Sequence, residues 1–317
     1  MRTQIPFALL AATLASSLCS VSAHARARVF VASYGNDANP CTFGSPCKTF
    51  QQAVNVVDAG GEVTAIDSAG FGTIYITQSV TITSPPGVEA GIVGGGVGIY
   101  IATRGPGPYF VQLRGLTLDG MGVGNYGIYF DGGNTRVEII DCVVRNTSFD
   151  GIALFPFLGA AGPNTVLISN TIVSNNVTHR IDLAPGSQGS FYNLRGAIDH
   201  VNASGNGIGI NIDGTNSSAF ADFAISNSVS DSNGTTGIAV QGNNNVKVEI
   251  RDSTLSNNLG FGLTVSNAKV GMYANSLVIN GAAFSNSNSG TIFSFGNNNL
   301  ENNGGVPTGT LTPVTGQ

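Results

Sequence analysis

Short runs of β-branched and aliphatic residues alternate with turns rich in Gly, Asn and Asp along most of this chain. The pattern recurs every 25 to 30 residues, and its equivalent turn positions are Gly115, Asp141, Asn170, His200, Asn227 and Asp252. A repeat of this length is typical of a solenoid whose coils stack on one another. Equivalent strands then pair in parallel, with inward Val, Ile and Leu side chains in line. The pattern therefore predicts an all-β solenoid, a parallel β-helix.

Asparagine recurs at the turn after the second strand of each coil, at Asn146, Asn175, Asn206, Asn233 and Asn258. This residue tolerates left-handed backbone, and its amide can bond to the equivalent amide one coil away. We interpret the set as structural. A row of asparagines that binds a ligand is the alternative.

One amphipathic helix is predicted ahead of the regular coils. Its apolar face carries Phe50, Ala53, Val54 and Val57. Thr49 and Gln52 form a capping box at its start, and Gly60 is the predicted stop. Such a helix would cover the open end of the apolar core. Residues 26–62 are therefore read as an N-terminal strand, a cysteine loop and a capping helix, and residues 63–300 as the coils.

The two ends of the chain depart from the repeat. Residues 1–25 contain Arg2, an apolar run and the small-x-small sequence Ala23-His24-Ala25, typical of a cleaved signal peptide. Residues 301–317 are predicted to be a disordered tail. No later segment is apolar over the length that a membrane span needs. The protein is therefore expected to be secreted, periplasmic or held at the cell surface.

Composition narrows the partners and the redox setting. Charged residues make up 10% of the chain and the net charge is −5, which argues against a nucleic-acid partner. Export permits disulfides, and Cys41 and Cys47 lie six residues apart in a Pro/Gly loop that can close on itself. Cys142 lies in an apolar strand and is predicted to be a buried, unreactive thiol.

The N-terminal segment carries a resemblance to a known fold family. Residues Val29-Phe30-Val31-Ala32-Ser33-Tyr34-Gly35-Asn36-Asp37, followed by Pro46-Cys47-Lys48-Thr49-Phe50, resemble the first strand and capping helix of exported bacterial right-handed parallel β-helix proteins. These belong to the pectin-lyase-like superfamily, here a subfamily without an assigned activity. The resemblance covers about residues 28–295. It implies a right-handed helix, an extracytoplasmic location and a carbohydrate partner.

Enzymes of this superfamily imply specific chemistry. Its lyases use clustered acidic residues for Ca²⁺ with an Arg or Lys base, and its hydrolases use closely set Asp residues. This chain has no Asp-Asp, Asn-Thr-Asp, Gly-His-Gly or Arg-x-Lys sequence. No metal or other cofactor is therefore predicted from its residues, and Ca²⁺ is expected only if the chain is a lyase.

One insertion concentrates the charged residues of the chain. The candidate catalytic residues in it are His179, Arg180, Asp182, Arg195, Asp199 and His200. Groups one coil apart can lie about 5 Å from each other, so these side chains could form a catalytic or metal site. Asp150 and Arg145 on the preceding coil could join it. A loop held by salt bridges is the alternative interpretation.

Aromatic residues suggest a surface for sugars. Phe155 and Phe157 lie in an apolar loop where polar residues are expected, and Tyr126 and Tyr129 lie near turns. Aromatic rings stack well on sugar faces, so these four are candidate glycan-binding residues. The alternative is that the loop folds back over the flank of the coil.

Three functions remain open from the sequence. The leading hypothesis is a non-catalytic module that binds a polysaccharide or another glycan of the cell envelope. The second is a polysaccharide lyase or glycoside hydrolase with an unusual site around residues 179–200. The third is a structural protein that self-associates through its open end near residues 285–300.

Overall fold

Three parallel sheets run the length of a solenoid. The computed structural model describes residues 26–156, 162–185, 193–215 and 220–314. Each coil passes from the first sheet to the second and then to the third, and equivalent strands of successive coils pair in parallel. The predicted all-β parallel solenoid is therefore confirmed. Among the described residues, no helix is long and apolar enough to cross a membrane.

The strands are numbered β1 to β30 along the chain. The first sheet contains β1 (Arg28–Val31), β2 (Gly61–Ala65), β5 (Val80–Thr83), β8 (Tyr109–Arg114), β11 (Thr135–Ile140), β14 (Asn164–Ser169), β17 (Asn193–Asp199), β20 (Phe220–Ser226), β23 (Val246–Arg251), β26 (Lys269–Tyr273), β29 (Thr291–Ser294) and β30 (Leu311–Pro313). The second sheet contains β3 (Ala69–Gly70), β6 (Ala90–Val93), β9 (Leu116–Asp119), β12 (Val143–Arg145), β15 (Ile172–Ser174), β18 (Asn202–Ser204), β21 (Val229–Asp231), β24 (Thr254–Ser256) and β27 (Ser276–Val278). The third sheet contains β4 (Ile74–Ile76), β7 (Gly96–Ile101), β10 (Gly124–Phe130), β13 (Ile152–Leu154), β16 (His179–Leu183), β19 (Ile208–Asp213), β22 (Thr236–Gln241), β25 (Phe261–Ser266) and β28 (Ala282–Ser287).

The core is a set of apolar columns that run along the solenoid axis. In the third sheet one column is formed by residues in register on successive strands, namely Ile74, Ile99, Ile128, Ile152, Ile181, Ile210, Ile238, Leu263 and Phe284. All of them are buried. Each such side chain contributes about 1.5–3 kcal/mol on leaving water, so register is fixed by the core.

The described part of the chain contains one helix, α1 (Phe50–Val56), which lies between β1 and β2 in sequence. The Thr49 hydroxyl accepts a hydrogen bond from the Gln52 amide at 3.2 Å, as the capping box predicts. The helix ends before Val57, not at Gly60, because the Asp58 amide already donates to the Arg26 carbonyl beside β1. Its apolar face is buried, and the Phe50 ring lies 5.0 Å from that of Phe71.

Two of the described cysteines form a disulfide, and a third is free. Cys41 and Cys47 form the predicted disulfide in the loop before α1. Cys142 is free and buried, and burial raises the pKa of its thiol to about 11. A thiol of this kind is protonated at neutral pH and therefore unreactive.

The corner between the first and second sheets explains the six equivalent turn positions. All of them, from Gly115 to Asp252, have positive φ angles between 48° and 72°. Gly, Asn, Asp and His are the residues that adopt this backbone most readily. The position of His200 in this series is therefore explained by its left-handed backbone conformation.

The corner between the second and third sheets uses two adjacent positions for two tasks. Asn146 and Asn175 have left-handed backbone, with φ of 58° and 57°. The next residue carries the hydrogen bonds, and this asparagine ladder consists of Asn176, Asn206, Asn233, Asn258, Asn280 and Asn303. Each side-chain oxygen accepts from the backbone amide one coil earlier. The structural role of asparagine is as predicted, but Asn146 and Asn175 belong to the turn and not to the ladder.

The C-terminal segment differs from its prediction as a disordered tail. Leu311–Pro313 forms β30, which pairs in parallel with β29. Asn303 continues the asparagine ladder, and its side-chain oxygen accepts from the Asn280 amide at 2.9 Å. The polar composition of this segment thus reflects the ladder, because asparagine serves structure at these corners.

From β7 onward, a column of mostly small residues lies at the start of the third-sheet strands, one residue before the apolar column; the position before β4 is the exposed Thr73. Its members are Gly98, Gly127, Gly151, Arg180, Gly209, Gly237, Gly262 and Ala283. A Cβ atom built on each of these glycines would lie less than 3.0 Å from another atom. The column is glycine-rich because the second-sheet side chains and the next coil approach it closely. We refer to it as the glycine column.

Replacing Gly127 by alanine is expected to destabilise the protein by about 3 kcal/mol, as overpacking of a tight core does. The new Cβ would lie 2.3 Å from Cγ1 of Val144 and 2.6 Å from the carbonyl oxygen of Gly151. Gly95→Ala is the matched control, because no atom lies within 4 Å of its Cβ position. Urea unfolding of both variants measures the difference. Equal stabilities would contradict the close approach.

Candidate functional site

The six candidate catalytic residues fall in different parts of the coil. Asp199 and His200 lie at the corner between the first and second sheets, with His200 Nδ1 2.8 Å from Asp199 Oδ2. Hydrogen bonds from Asn227, then Ser226 and His200, lower the pKa of Asp199 to about 2. The Asp199 carboxylate is therefore held by His200 at its own corner and by Ser226 and Asn227 of the next coil.

The two arginines of the set point in other directions. Arg195 lies on the outer face of the first sheet and pairs with Asp222 at 3.4 Å in an exposed contact. Arg180 lies in the glycine column and is completely buried. The structure therefore does not bring the six residues together, because neighbouring residues of a strand point to opposite sides and the coil turns between them.

His179 and Asp182 do meet, and Asp150 from the preceding coil joins them. His179 Nδ1 lies 3.0 Å from Asp150 Oδ1 and 3.6 Å from Asp182 Oδ2. The His179 backbone amide also donates to Asp150 at 2.9 Å, and the Asn211 side chain donates to Asp182 at 2.9 Å. We call Asp150, His179 and Asp182 the His–Asp cluster. It lies on the outer side of the third sheet, on β16 and just before β13.

Burial and mutual charge set the protonation of the cluster. Burial raises the pKa of Asp182 to about 6, and the charge of Asp150 adds to the rise while that of His179 opposes it. Burial lowers the pKa of His179, but Asp150 and Asp182 outweigh it and the net direction is upward. A histidine beside a carboxyl whose pKa is raised in this way can exchange protons with a bound molecule.

The same atoms could hold a cation. One ligand atom from each member lies within 4.8 Å of the others, and no second group of this kind occurs in the described ranges. Two carboxylates and an imidazole suit a divalent metal. The sequence also predicts Asp150 as a residue that could join such a site. Arg145 does not take part, because it pairs with Asp119 at 2.9 Å.

Aromatic side chains form a row on the same outer face. Tyr75, Tyr100 and Tyr129 are in register on β4, β7 and β10, and successive ring centroids lie 5.2 Å apart. The Tyr126 ring lies 5.0 Å from Tyr129 and stacks on Phe149 at 5.9 Å. We call these five residues the aromatic row. Tyr75 is 48% exposed and Phe149 is 49% exposed, so the row reaches solvent.

The row is anchored at Tyr100 and approaches the His–Asp cluster at Tyr126. The Tyr100 hydroxyl donates to Asp131 at 2.8 Å, and burial together with Asp131 raises the pKa of this tyrosine to about 12. The pKa of Tyr126 is raised by burial and by the charges of Asp150 and Asp182. Tyr126 therefore remains a protonated phenol close to the cluster.

The candidate glycan-binding residues of the sequence are partly brought together. Tyr126 and Tyr129 belong to the row, and the Phe155 ring lies 5.6 Å from Tyr129. Phe157 lies outside the described residues. Sequence reasoning gave no special weight to Tyr75 and Phe149. Repeat alignment contains the missing signal for Tyr75, because Tyr75, Tyr100 and Tyr129 each follow the aligned Ile74, Ile99 and Ile128.

Comparisons with known proteins support the fold. No protein-family model matches the chain, and no curated protein sequence matches it either. Among solved structures it is similar to pectate lyase Pel9A, with a TM-score of 0.55 and 15% identity over 87% of this chain and 77% of that one.

Two further structures are similar. One is an alginate lyase from Paenibacillus sp., with a TM-score of 0.52 and 14% identity over 89% of this chain and 98% of that one. The other is the A-module of the Azotobacter vinelandii mannuronan C-5 epimerase AlgE4, with a TM-score of 0.51 and 16% identity over 75% and 79%. At these identities the likeness shows the fold alone. The chain thus has the right-handed parallel β-helix fold of the pectate-lyase kind.

Proposed function

We propose that this protein binds a polysaccharide along the outer face of its third sheet. The aromatic row is the observation that carries the proposal. Tyr75 and Phe149 are about half exposed, and the three tyrosines between them are partly buried. The four tyrosines belong to strands on neighbouring coils that the core holds in register. Aromatic rings placed in this way present apolar faces to sugar rings, while their hydroxyls remain available to sugar hydroxyls.

The spacing of the row suits a linear chain of sugars. Coils of a parallel sheet are about 4.8 Å apart, which is close to the length of one sugar unit in an extended polysaccharide. A polysaccharide lying along the solenoid axis would meet one coil per unit. In this direction it would pass from Tyr75 over Tyr129 to the His–Asp cluster. The polysaccharides named for the similar structures make a carbohydrate partner a consistent choice.

Affinity for the polysaccharide tests the proposal. We expect wild-type protein to be retained in gels that contain one member of a panel of neutral and acidic polysaccharides. The double variant Tyr100→Ala/Tyr129→Ala should bind that member about thirtyfold more weakly, which corresponds to the loss of two stacked rings. Tyr34→Ala is the matched control, because Tyr34 is exposed and lies near α1.

Two outcomes of this experiment would count against the row. Retention that is equal for wild type and the double variant would place binding elsewhere on the solenoid. Absence of retention on every polysaccharide of the panel would remove the carbohydrate proposal itself.

A second candidate function is chemical modification of the bound polysaccharide. The observation that favours it is the His–Asp cluster, which lies partly buried at one end of the aromatic row. His179 could remove a proton from a sugar unit, and Asp182, whose pKa burial raises to about 6, could deliver one. Asp150 would orient the imidazole of His179 through its 3.0 Å contact. In a lyase, the proton would leave a ring carbon and the acid would protonate the departing glycosidic oxygen as the double bond forms. In a hydrolase, the base would instead take its proton from a water molecule that replaces the leaving sugar.

Location and the role of α1 complete the proposal. The Cys41–Cys47 disulfide is consistent with an oxidising compartment, and residues 1–25 would direct export. Phe50 of α1 packs beside the first coils and would shield the N-terminal end of the core.

A further inference from the structure

Arg180 breaks the glycine column. Seven of the eight members of this column are Gly or Ala, and the eighth carries the largest side chain that the described part of the structure buries completely. At the equivalent position of the next coil, a Cβ on Gly209 would lie 2.0 Å from the Ser230 hydroxyl. The side chain of Arg180 therefore lies inside the solenoid. The equivalent position in the next coil has room only for the hydrogen atom of a glycine.

The arginine displaces the hydrogen bonds of the asparagine ladder. In later coils the ladder amide donates to a carbonyl one coil earlier, as Asn233 does to Ala203 at 3.3 Å and Asn258 to Ser230 at 3.1 Å. The equivalent acceptor for Asn206 is the Val173 carbonyl, because Val173 pairs with Ala203. Arg180 Nη1 takes this carbonyl instead.

Four donors are left over at this point. Within the described residues, the buried side-chain nitrogens without a hydrogen-bond partner are Nε and Nη2 of Arg180, Nδ2 of Asn176 and Nδ2 of Asn206. They belong to one place, because Asn176 and Asn206 are successive members of the ladder and Arg180 Nη2 lies 3.3 Å from the Cβ position of Gly205. Each buried donor without a partner is strongly unfavourable.

The positive charge is also unbalanced. Asp231 is the carboxylate that acts on Arg180 at longer range, but its oxygens are engaged by Ser256 and Asn257 at 2.8 Å and by Ser232 at 2.7 Å. Burial lowers the pKa of Arg180 to about 9, which still leaves the group protonated at neutral pH. A cation is thus enclosed among donors, with one carbonyl as its hydrogen-bond acceptor.

We propose that Arg180, Asn176 and Asn206 form an internal binding site for a small inorganic anion such as chloride. A water molecule accepts at most two hydrogen bonds and brings no charge, so it would leave donors unpaired and the guanidinium uncompensated. A halide accepts from all donors around it and neutralises the cation. The site lies under the corner that leads into β16, so an occupied site would also support the strand that carries His179 and Asp182.

Bromide replaces chloride in such sites and can be located directly. Crystals of the wild-type protein grown with sodium bromide should show an anomalous peak within hydrogen-bond distance of Arg180 Nη2 and the Asn206 amide. An interior without an anomalous peak, or with a water there, would overturn the proposal. This measurement uses the unaltered protein and does not depend on whether a variant folds.

Thermal unfolding provides the second arm. At equal ionic strength, wild-type protein should unfold about 3 °C higher in sodium chloride than in sodium gluconate, whose anion is too large for the interior. Arg180→Gly restores the glycine column and should abolish this difference. Arg195→Ala, which removes an exposed arginine from the next coil, should retain it. A chloride effect that persists in Arg180→Gly, or equal melting of wild type in both salts, would contradict an anion at Arg180.

Discussion

Replacing Asn258 by alanine should lower the free energy of unfolding by about 4 kcal/mol. The Asn258 side chain accepts from the backbone amide and the side chain of Asn233 at 3.1 and 2.8 Å, and donates to Ser230 and Asn280 at 3.1 and 2.8 Å. Alanine would remove all four bonds in the interior and leave the buried amide of Asn233 without its acceptor. Equilibrium unfolding in urea measures the loss.

The preceding residue supplies the matched control for this ladder position. Asn257 has a φ of 52°, and its side chain is exposed. Glycine adopts this backbone without strain and removes only the exposed hydrogen bond from Asn257 to Asp231, so Asn257→Gly should cost about 1 kcal/mol or less. If both variants lost the same free energy, the division between a turn position and a ladder position would be wrong.

If the bound polysaccharide is modified at the His–Asp cluster, His179→Ala should reduce product formation roughly a thousandfold, the usual contribution of a positioned acid–base group. Unsaturated products and new reducing ends would both be followed, with and without Ca²⁺ and with a chelator. His200→Asn is the matched control, because His200 lies at the far corner and asparagine tolerates its positive φ. Equal losses in both variants would contradict catalysis at the cluster. Binding without product in wild type would leave the protein as a binding module.

Assembly of the cluster can be checked without any substrate. Burial gives Asp182 a folded-state pKa of about 6, above its ordinary value of 3.8. The folded protein therefore holds this proton more tightly than the unfolded chain, and stability falls as pH rises between these two values. Asp182→Asn should then be more stable than wild type above pH 6, by about 2 kcal/mol, and should show no such gain near pH 4. A gain that is independent of pH would contradict a buried, ionising Asp182.

The sequence predicts the fold well because its signals are local and repeated. The six turn positions recognised from the repeat all have left-handed backbone, and the capping box at Thr49 forms. The position of the helix end and the order of residues 301–314 are less accessible to such reasoning. The first depends on a contact between Asp58 and Arg26, and the second on asparagines that resemble a polar tail in composition.

The site was harder to predict because it depends on which side of a strand each residue occupies. His179, Arg180 and Asp182 are close in sequence, yet Arg180 enters the interior while the other two face outward. Arg180 and its neighbour Ile181 are both buried, which departs from the strict alternation expected of a strand. Asp150 joins the cluster through the register of β13 and β16, which requires knowledge of the exact coil length between them.

The parallel register fixes the distances between equivalent positions along the solenoid. Tyr129, Ala153 and Asp182 occupy the same line on three consecutive strands, so the distance from the last tyrosine of this line to the acid is a whole number of coils. Evolution could lengthen or shorten that distance only in steps of one coil, by duplicating or deleting a repeat between them. Coils added beyond β19 would extend the surface without altering the interval. For a polymer bound along this line, the distance from its contact with Tyr129 to its contact with Asp182 would thus be fixed by the number of repeats between them.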